Sequence, residues 1–169
     1  MATLPQLLEE DIRALDAVLL EFSRQAELCG ALVIDKGGFL ITHQGNTGEL
    51  DLTTLGALAS GAFMASQTIA SLVNEKNFNS TFQQGENSSL FIQEVDPQCL
   101  LAVIFSSATG LGLVKYYAGS VAASIARILG AARDRNPSGG FDLSVLNMAN
   151  PRELFRKKSQ DAPRPASFE

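Results

Sequence analysis

A chain of 169 residues with 46 % apolar side chains can bury one hydrophobic core, and that composition excludes wholesale disorder. Thirteen basic against eighteen acidic residues leave a formal net charge of −5, which excludes general nucleic-acid binding. The charge is uneven: residues 1–132 carry six basic and thirteen acidic side chains, whereas residues 133–169 carry seven and five.

From Pro5 to about Leu28, Leu8, Ile12, Leu15, Leu19, Phe22 and Ala26 recur at three- and four-residue spacing. The pattern predicts an amphipathic helix with Thr3 as N-cap, Pro5 in its first turn and Gly30 at its end. Two short runs follow, Ala31–Asp35 and Phe39–His43, separated by Lys36-Gly37-Gly38, and they read as a hairpin. Leu32 and Ile34 fall on one face of the first strand and Ala31 and Val33 on the other. A strand apolar on both faces belongs in the middle of a sheet covered on each side.

From Leu52 to Asn74 there is no charged residue. The run is long enough to span a bilayer, but Ser60, Ser66, Gln67, Thr68 and Ser71 interrupt it, so we expect a helix and no membrane insertion. Leu55, Leu58, Ala62, Ala65, Ile69 and Leu72 form a stripe expected to pack on the sheet. The opposite side carries Ala57, Ser60, Gly61, Met64, Thr68 and Ser71, with Phe63 and Gln67 beside them. A surface helix would ordinarily carry Lys and Glu there, so a partner surface is expected instead.

Phe78–Gln84 alternates apolar and polar residues and reads as an edge strand. Gly85-Glu86-Asn87 turns the chain into Ser89–Val95, and Asp96-Pro97-Gln98 turns it again into Leu100–Phe105, a second strand apolar on both faces. A last helix is expected from about Leu111 to Arg133, with Val114, Tyr117, Val121, Ile125 and Ile128 as its core stripe. The order predicts an α/β (α+β) sandwich: an antiparallel or mixed sheet with helices on both faces, in the sequence αββαβββα. Residues 1–133 are expected to form the domain and 134–169 a flexible tail, with a short basic helix at 150–158.

Catalytic signals are weak. Cys29 and Cys99 lie 70 positions apart with no CxxC pair, and they read as small reduced side chains in or near the core. His43 stands near Asp35 across the expected hairpin, but no spacing supplies a nucleophile. Ser107–Gly112 follows a strand and opens a helix, yet Lys115 replaces the third glycine of a dinucleotide-binding turn. No metal-ligand cluster is evident, and the chain is read as a non-enzymatic protein without cofactor or metal. The acidic N-terminal residues lack a signal peptide's basic region, so a cytoplasmic location is expected.

The run Gly30–Ile41, the helix segment Leu55–Ser66, the turn Phe82–Glu86 and the helix entry Leu111–Lys115 together resemble roadblock-type dynein light chain domains, and in particular their bacterial, MglB-like branch. The resemblance covers about residues 30–130. It implies a five-stranded antiparallel sheet in order 2-1-5-4-3. It also implies a homodimer formed through the central helix and third strand, and regulation of a small, MglA-like, Ras-like GTPase. Carried onto this sequence, GTPase contacts would fall at Ala57, Ser60, Gly61, Met64, Gln67, Thr68 and Ser71. The dimer interface would take Phe63, Phe78, Asn79, Ser80, Thr81, Phe82 and Gln83. Arg152, Leu154, Phe155, Arg156, Lys157 and Lys158 offer a second, electrostatic contact in the tail. The alternatives are a ligand-sensing module of PAS or GAF type, for which a pocket with convergent polar groups would speak, and a pure dimeric scaffold.

Overall fold

The computed structural model describes residues 4–135. Eight elements run in the order α1 (Glu9–Gln25), β1 (Leu28–Asp35), β2 (Leu40–Gln44), α2 (Leu52–Leu72), β3 (Ser80–Gln84), β4 (Ser88–Asp96), β5 (Cys99–Ser106) and α3 (Leu111–Arg135). The five strands form one antiparallel sheet in the order β2-β1-β5-β4-β3. Both double-sided apolar strands, β1 and β5, lie in its interior, and β3 lies at one edge.

The alternation of β1 and β5 divides the core. Ala31, Val33, Leu101, Val103 and Phe105 face α1 and α3, where they meet Leu15, Leu19, Phe22, Val114, Ile125 and Leu129. Leu32, Ile34, Leu100 and Ala102 face the other way, beneath Ala59 and Phe63 of α2. Among the described residues two helices therefore cover one face, and α2 lies alone on the other. On α3 the buried stripe is Val114, Ala118, Val121, Ile125 and Leu129, while Tyr117 and Ile128 are only half-buried at its margin.

Several boundaries differ from expectation. Helix α1 starts at Glu9 rather than in the turn of Pro5, because Asp11 accepts the Leu8 N–H at 2.7 Å and caps that point. The expected cap, Thr3, lies outside the described residues. Gly30 does not end the helix; it lies within β1, and the reversal falls at Glu27, whose φ is +52°. Phe78 and Asn79 precede β3 instead of belonging to it. Helix α3 continues to Arg135, two residues beyond its expected end at Arg133, and ion pairs fasten this last turn: Arg133 to Asp96 at 3.1 Å, and Arg135 to Asp11. The basic helix expected at 150–158 lies outside the described residues.

Burial pushes the Asp11 carboxyl up. The hydrogen bond from Arg135, the Leu8 N–H and the guanidinium charge outweigh that, so the group titrates below the ordinary carboxylate range. A depressed folded-state pKa stabilises the fold at pH values above the unfolded pKa of about 3.9, and this contribution is lost as pH falls through the lowered folded value. Asp11→Ala is expected to reduce stability at neutral pH by about 1–2 kcal/mol through loss of the cap. In urea titrations the difference from wild type should vanish as the pH approaches 2–3 (roughly, from the carboxylate range). An unchanged difference at low pH would show that Asp11 acts only as a packed side chain.

Candidate functional site

Helix α2 is capped at its start by Asp51, whose carboxylate accepts the Thr54 N–H at 3.1 Å and the Thr54 hydroxyl at 2.6 Å. It then crosses the sheet with Gly56, Ala59, Ser60, Phe63 and Ala70 turned inward. Close approach dictates this choice. A Cβ on Gly56 would lie 3.2 Å from the Gly38 carbonyl oxygen and 3.3 Å from Ile34 Cγ2. A Cβ on Gly38, whose φ is +90°, would lie 2.7 Å from the Ala57 Cα. Glycine on both sides lets the helix backbone settle against the β1–β2 hairpin, and the Phe63 ring fills the space about two turns further on.

This orientation corrects three expectations. The stripe Leu55–Leu72 is not the sheet-facing side: Leu58, Ile69 and Leu72 are 67 %, 52 % and 77 % exposed. Ser60 is no partner contact, because it is buried and donates its hydroxyl to the Lys36 carbonyl at 2.6 Å. Phe63 is no dimer contact either; it is fully buried beneath its own helix.

At about 100° per residue, α2 thus presents three faces some 120° apart. One is the sheet face. The second, Leu58, Ala65, Ile69 and Leu72, is an exposed apolar seam with Leu55 and Ala62 half-buried at its root. Its 3-4-3-4 spacing is a heptad pattern, the sequence signal that could have marked it as an exposed seam rather than a core stripe. The third face holds Ala57, Gly61, Met64, Thr68 and Ser71, all exposed, with Gln67 half-buried beside it.

The polar groups on this third face are already engaged. Ser71 donates to the Thr68 carbonyl at 2.7 Å, Thr68 to the Met64 carbonyl at 3.5 Å, and Gln67 to the Phe78 carbonyl at 2.6 Å. Hydroxyls that bond back into their own helix show a partner mainly their carbon atoms. The face is neutral and more apolar than its residue names suggest.

Beside the seam, an open groove of about 520 Å³ runs over the sheet, lined by Leu50, Leu55, Leu90, Ile104, Gln83 and Gly85 among others. Edge strand β3 borders it. There Phe82 is 39 % exposed and stacks on Phe105 with ring centroids 6.2 Å apart, Ser80 and Thr81 are half-buried, and Gln83 is exposed. Of the remaining interface candidates, Phe78 is half-buried and Asn79 exposed, its carbonyl taken by the Glu94 N–H at 3.1 Å.

The other sequence candidates do not assemble. His43 is exposed and pairs with Leu32, three positions along β1 from Asp35. Cys29 and Cys99 are both free, and burial pushes the Cys99 thiol far up, so it stays protonated. Ser107 donates to the Gly85 carbonyl at 2.7 Å, which ties the turn before α3 to the β3–β4 hairpin. The tail residues Arg152, Leu154, Phe155, Arg156, Lys157 and Lys158 lie outside the described residues.

Sheet order, helix placement and the isolated α2 agree with one recurrent domain, and residues 14–105 match it: the Roadblock/LC7 domain. The chain belongs to the Roadblock/LC7 family. Among solved Roadblock/LC7 structures it is similar to MglB of Myxococcus xanthus, with 29 % identity, a TM-score of 0.70, and 75 % of this chain and 96 % of that one covered. The gliding protein MglB of Thermus thermophilus aligns at 28 % identity and TM-score 0.71, over 78 % and 99 % of the two chains. An MglB in a tetrameric arrangement gives 29 % and 0.73 over the same shares. In sequence, an uncharacterised protein of Methanocaldococcus jannaschii, MJ0714, is 30 % identical over 101 residues, 60 % of this chain and 84 % of its own. The chain is an MglB-like member of a regulatory domain family.

Proposed function

We propose that the protein is a homodimeric, non-enzymatic regulator that binds the switch regions of a small Ras-like GTPase, an MglA-like one, and promotes its GTP hydrolysis. The observation that carries the reading is the division of α2 into one buried and two exposed uncharged faces. Two unpartnered faces call for two partners. The heptad seam, with the groove and the β3 edge, suits a second copy of the chain, which would bury Leu58, Ile69 and Leu72 and extend the sheet. The neutral face of Ala57, Gly61, Met64, Thr68 and Ser71, with Gln67, then stays outward as the GTPase contact. The similarity to MglB structures, together with the resemblance of the central helix to that branch, supports this assignment.

The groove beside α2 is open along its length and apolar along most of its lining, which favours a protein surface over the enclosed ligand chamber of a sensory module. The basic tail residues Arg152, Arg156, Lys157 and Lys158, with Leu154 and Phe155, form a second contact to the GTPase in this reading.

Pull-down with Ras-like GTPases loaded with GTP analogue or GDP tests the proposal. Met64→Arg is expected to weaken binding by at least about 2 kcal/mol, roughly thirty-fold in Kd, because it forces an unpaired charge into the contact. Its sedimentation should match wild type, since Met64 lies about 120° around the helix from Leu58. Truncation after Asn136 should leave self-association unchanged, lower GTPase affinity and flatten its salt dependence. Full affinity in Met64→Arg would place the contact elsewhere, and equal salt slopes would remove the tail from it.

A further inference from the structure

Helix α2 is neutral along its length, but its surroundings are not. Among the described residues, Arg13, Arg24, Lys115, Arg127, Arg133 and Arg135 all belong to α1 or α3, which cover the opposite side of the sheet. Lys36 is engaged by Glu94 at 2.9 Å. Lys76 is then the one remaining described cation bordering α2, whereas Glu49 and Asp51 stand exposed at its start and Glu75 just past its end.

The helix itself accentuates the asymmetry. Asp51 caps and partly neutralises the positive end of its dipole, but its last turn contains no basic residue. The negative end of α2 therefore points toward Glu75 without compensation from its own turn.

We infer that the outward face of α2 receives a protein surface with an apolar centre and a rim of Lys and Arg side chains. The inference rests on the proposed GTPase contact and specifies the chemistry of the surface that fits it. An apolar, charge-free strip framed by carboxylates is complementary to such a surface. A second copy of the chain would present the same carboxylates and be repelled along the rim. The carboxylates act chiefly on encounter: exposed and well separated, they steer a basic partner from a distance and add little once it is seated.

The test uses full-length protein and the GTPase, loaded with GTP analogue, that the wild-type chain retains in pull-down. The double variant Glu49→Gln/Glu75→Gln is compared with Glu21→Gln/Glu27→Gln, an equal charge change on the α1 side. At low salt the first pair is expected to slow association about three- to tenfold and to flatten its salt dependence, with dissociation nearly unchanged. The control pair should match wild type within about twofold (the scale of general, unsteered charge effects). Equal association rates and salt slopes for the two pairs would overturn the inference while leaving the GTPase contact intact, as would faster association by Glu49→Gln/Glu75→Gln. Tightened self-association of that variant, with no change toward the GTPase, would assign the rim to a second copy and overturn it too. A wild-type chain that retains no Ras-like GTPase removes the reading beneath the inference, and the inference with it.

Discussion

Replacing Leu58 and Ile69 together by glutamate is expected to convert a dimer of roughly twice the 18.0 kDa chain mass into a folded monomer. The two side chains are 67 % and 52 % exposed on the isolated chain, so their replacement removes little from the core. In a pair of α2 seams each substitution occurs twice, and four carboxylates would face one another across an apolar contact. Lost burial alone amounts to about 1.5–3 kcal/mol for each large aliphatic side chain, and the desolvated charges add to it. A total above about 5 kcal/mol weakens association more than a thousandfold. Sedimentation velocity at micromolar concentration reads the result directly. Wild type found as a persistent monomer, or a double variant that still dimerises, would show that the seam does not pair.

Phe63→Ala is expected to have the largest effect on stability. The ring is fully buried between α2 and the sheet, against a cluster that includes Leu32, Ile34, Ile92, Leu100 and Ala102. Among the described residues a single helix covers this side, so few neighbours can collapse into the space the ring leaves. Phe-to-Ala replacement in such a site costs about 3–5 kcal/mol, a large fraction of the 5–15 kcal/mol (roughly) that holds a domain of this size together. The urea midpoint should fall steeply with little change in slope. Leu72→Ala, made in the monomeric Leu58→Glu/Ile69→Glu background, should cost under about 1 kcal/mol, because a leucine that is 77 % exposed has little burial to lose. If the two costs were equal, or reversed, α2 would lie on the sheet by its other stripe.

That contrast separates what the sequence by itself determined from what the tertiary structure decided. Element order, the interior places of β1 and β5 and the edge place of β3 were all legible in the residues. Ala31 to Ile34 and Leu100 to Phe105 are apolar at every position, and a strand has only two faces, so apolar residues on both admit a single environment. The edge strand was readable for the converse reason, since one of its faces alternates with polar residues.

Which side of α2 turns inward was not legible in this way. A helix without charge and with apolar residues all round has no polar face to exclude, and the eye follows bulk: Leu55, Leu58, Ala62, Ala65, Ile69 and Leu72 look like core. The structure chose Gly56, Ala59, Ser60, Phe63 and Ala70 instead. The decision lay in residues distant along the chain. Gly38 presents no side chain to Ala57, the Lys36 carbonyl is placed to accept the Ser60 hydroxyl, and Ile34 with Leu100 leaves room for one aromatic ring. A bulky aliphatic stripe on that side would hold the helix away from the hairpin, whereas small residues around one Phe bring it close. Periodicity records which residues share a face. The shape of the opposing surface decides which face is buried, and that shape exists only once the hairpin and the sheet have been assembled beneath the helix.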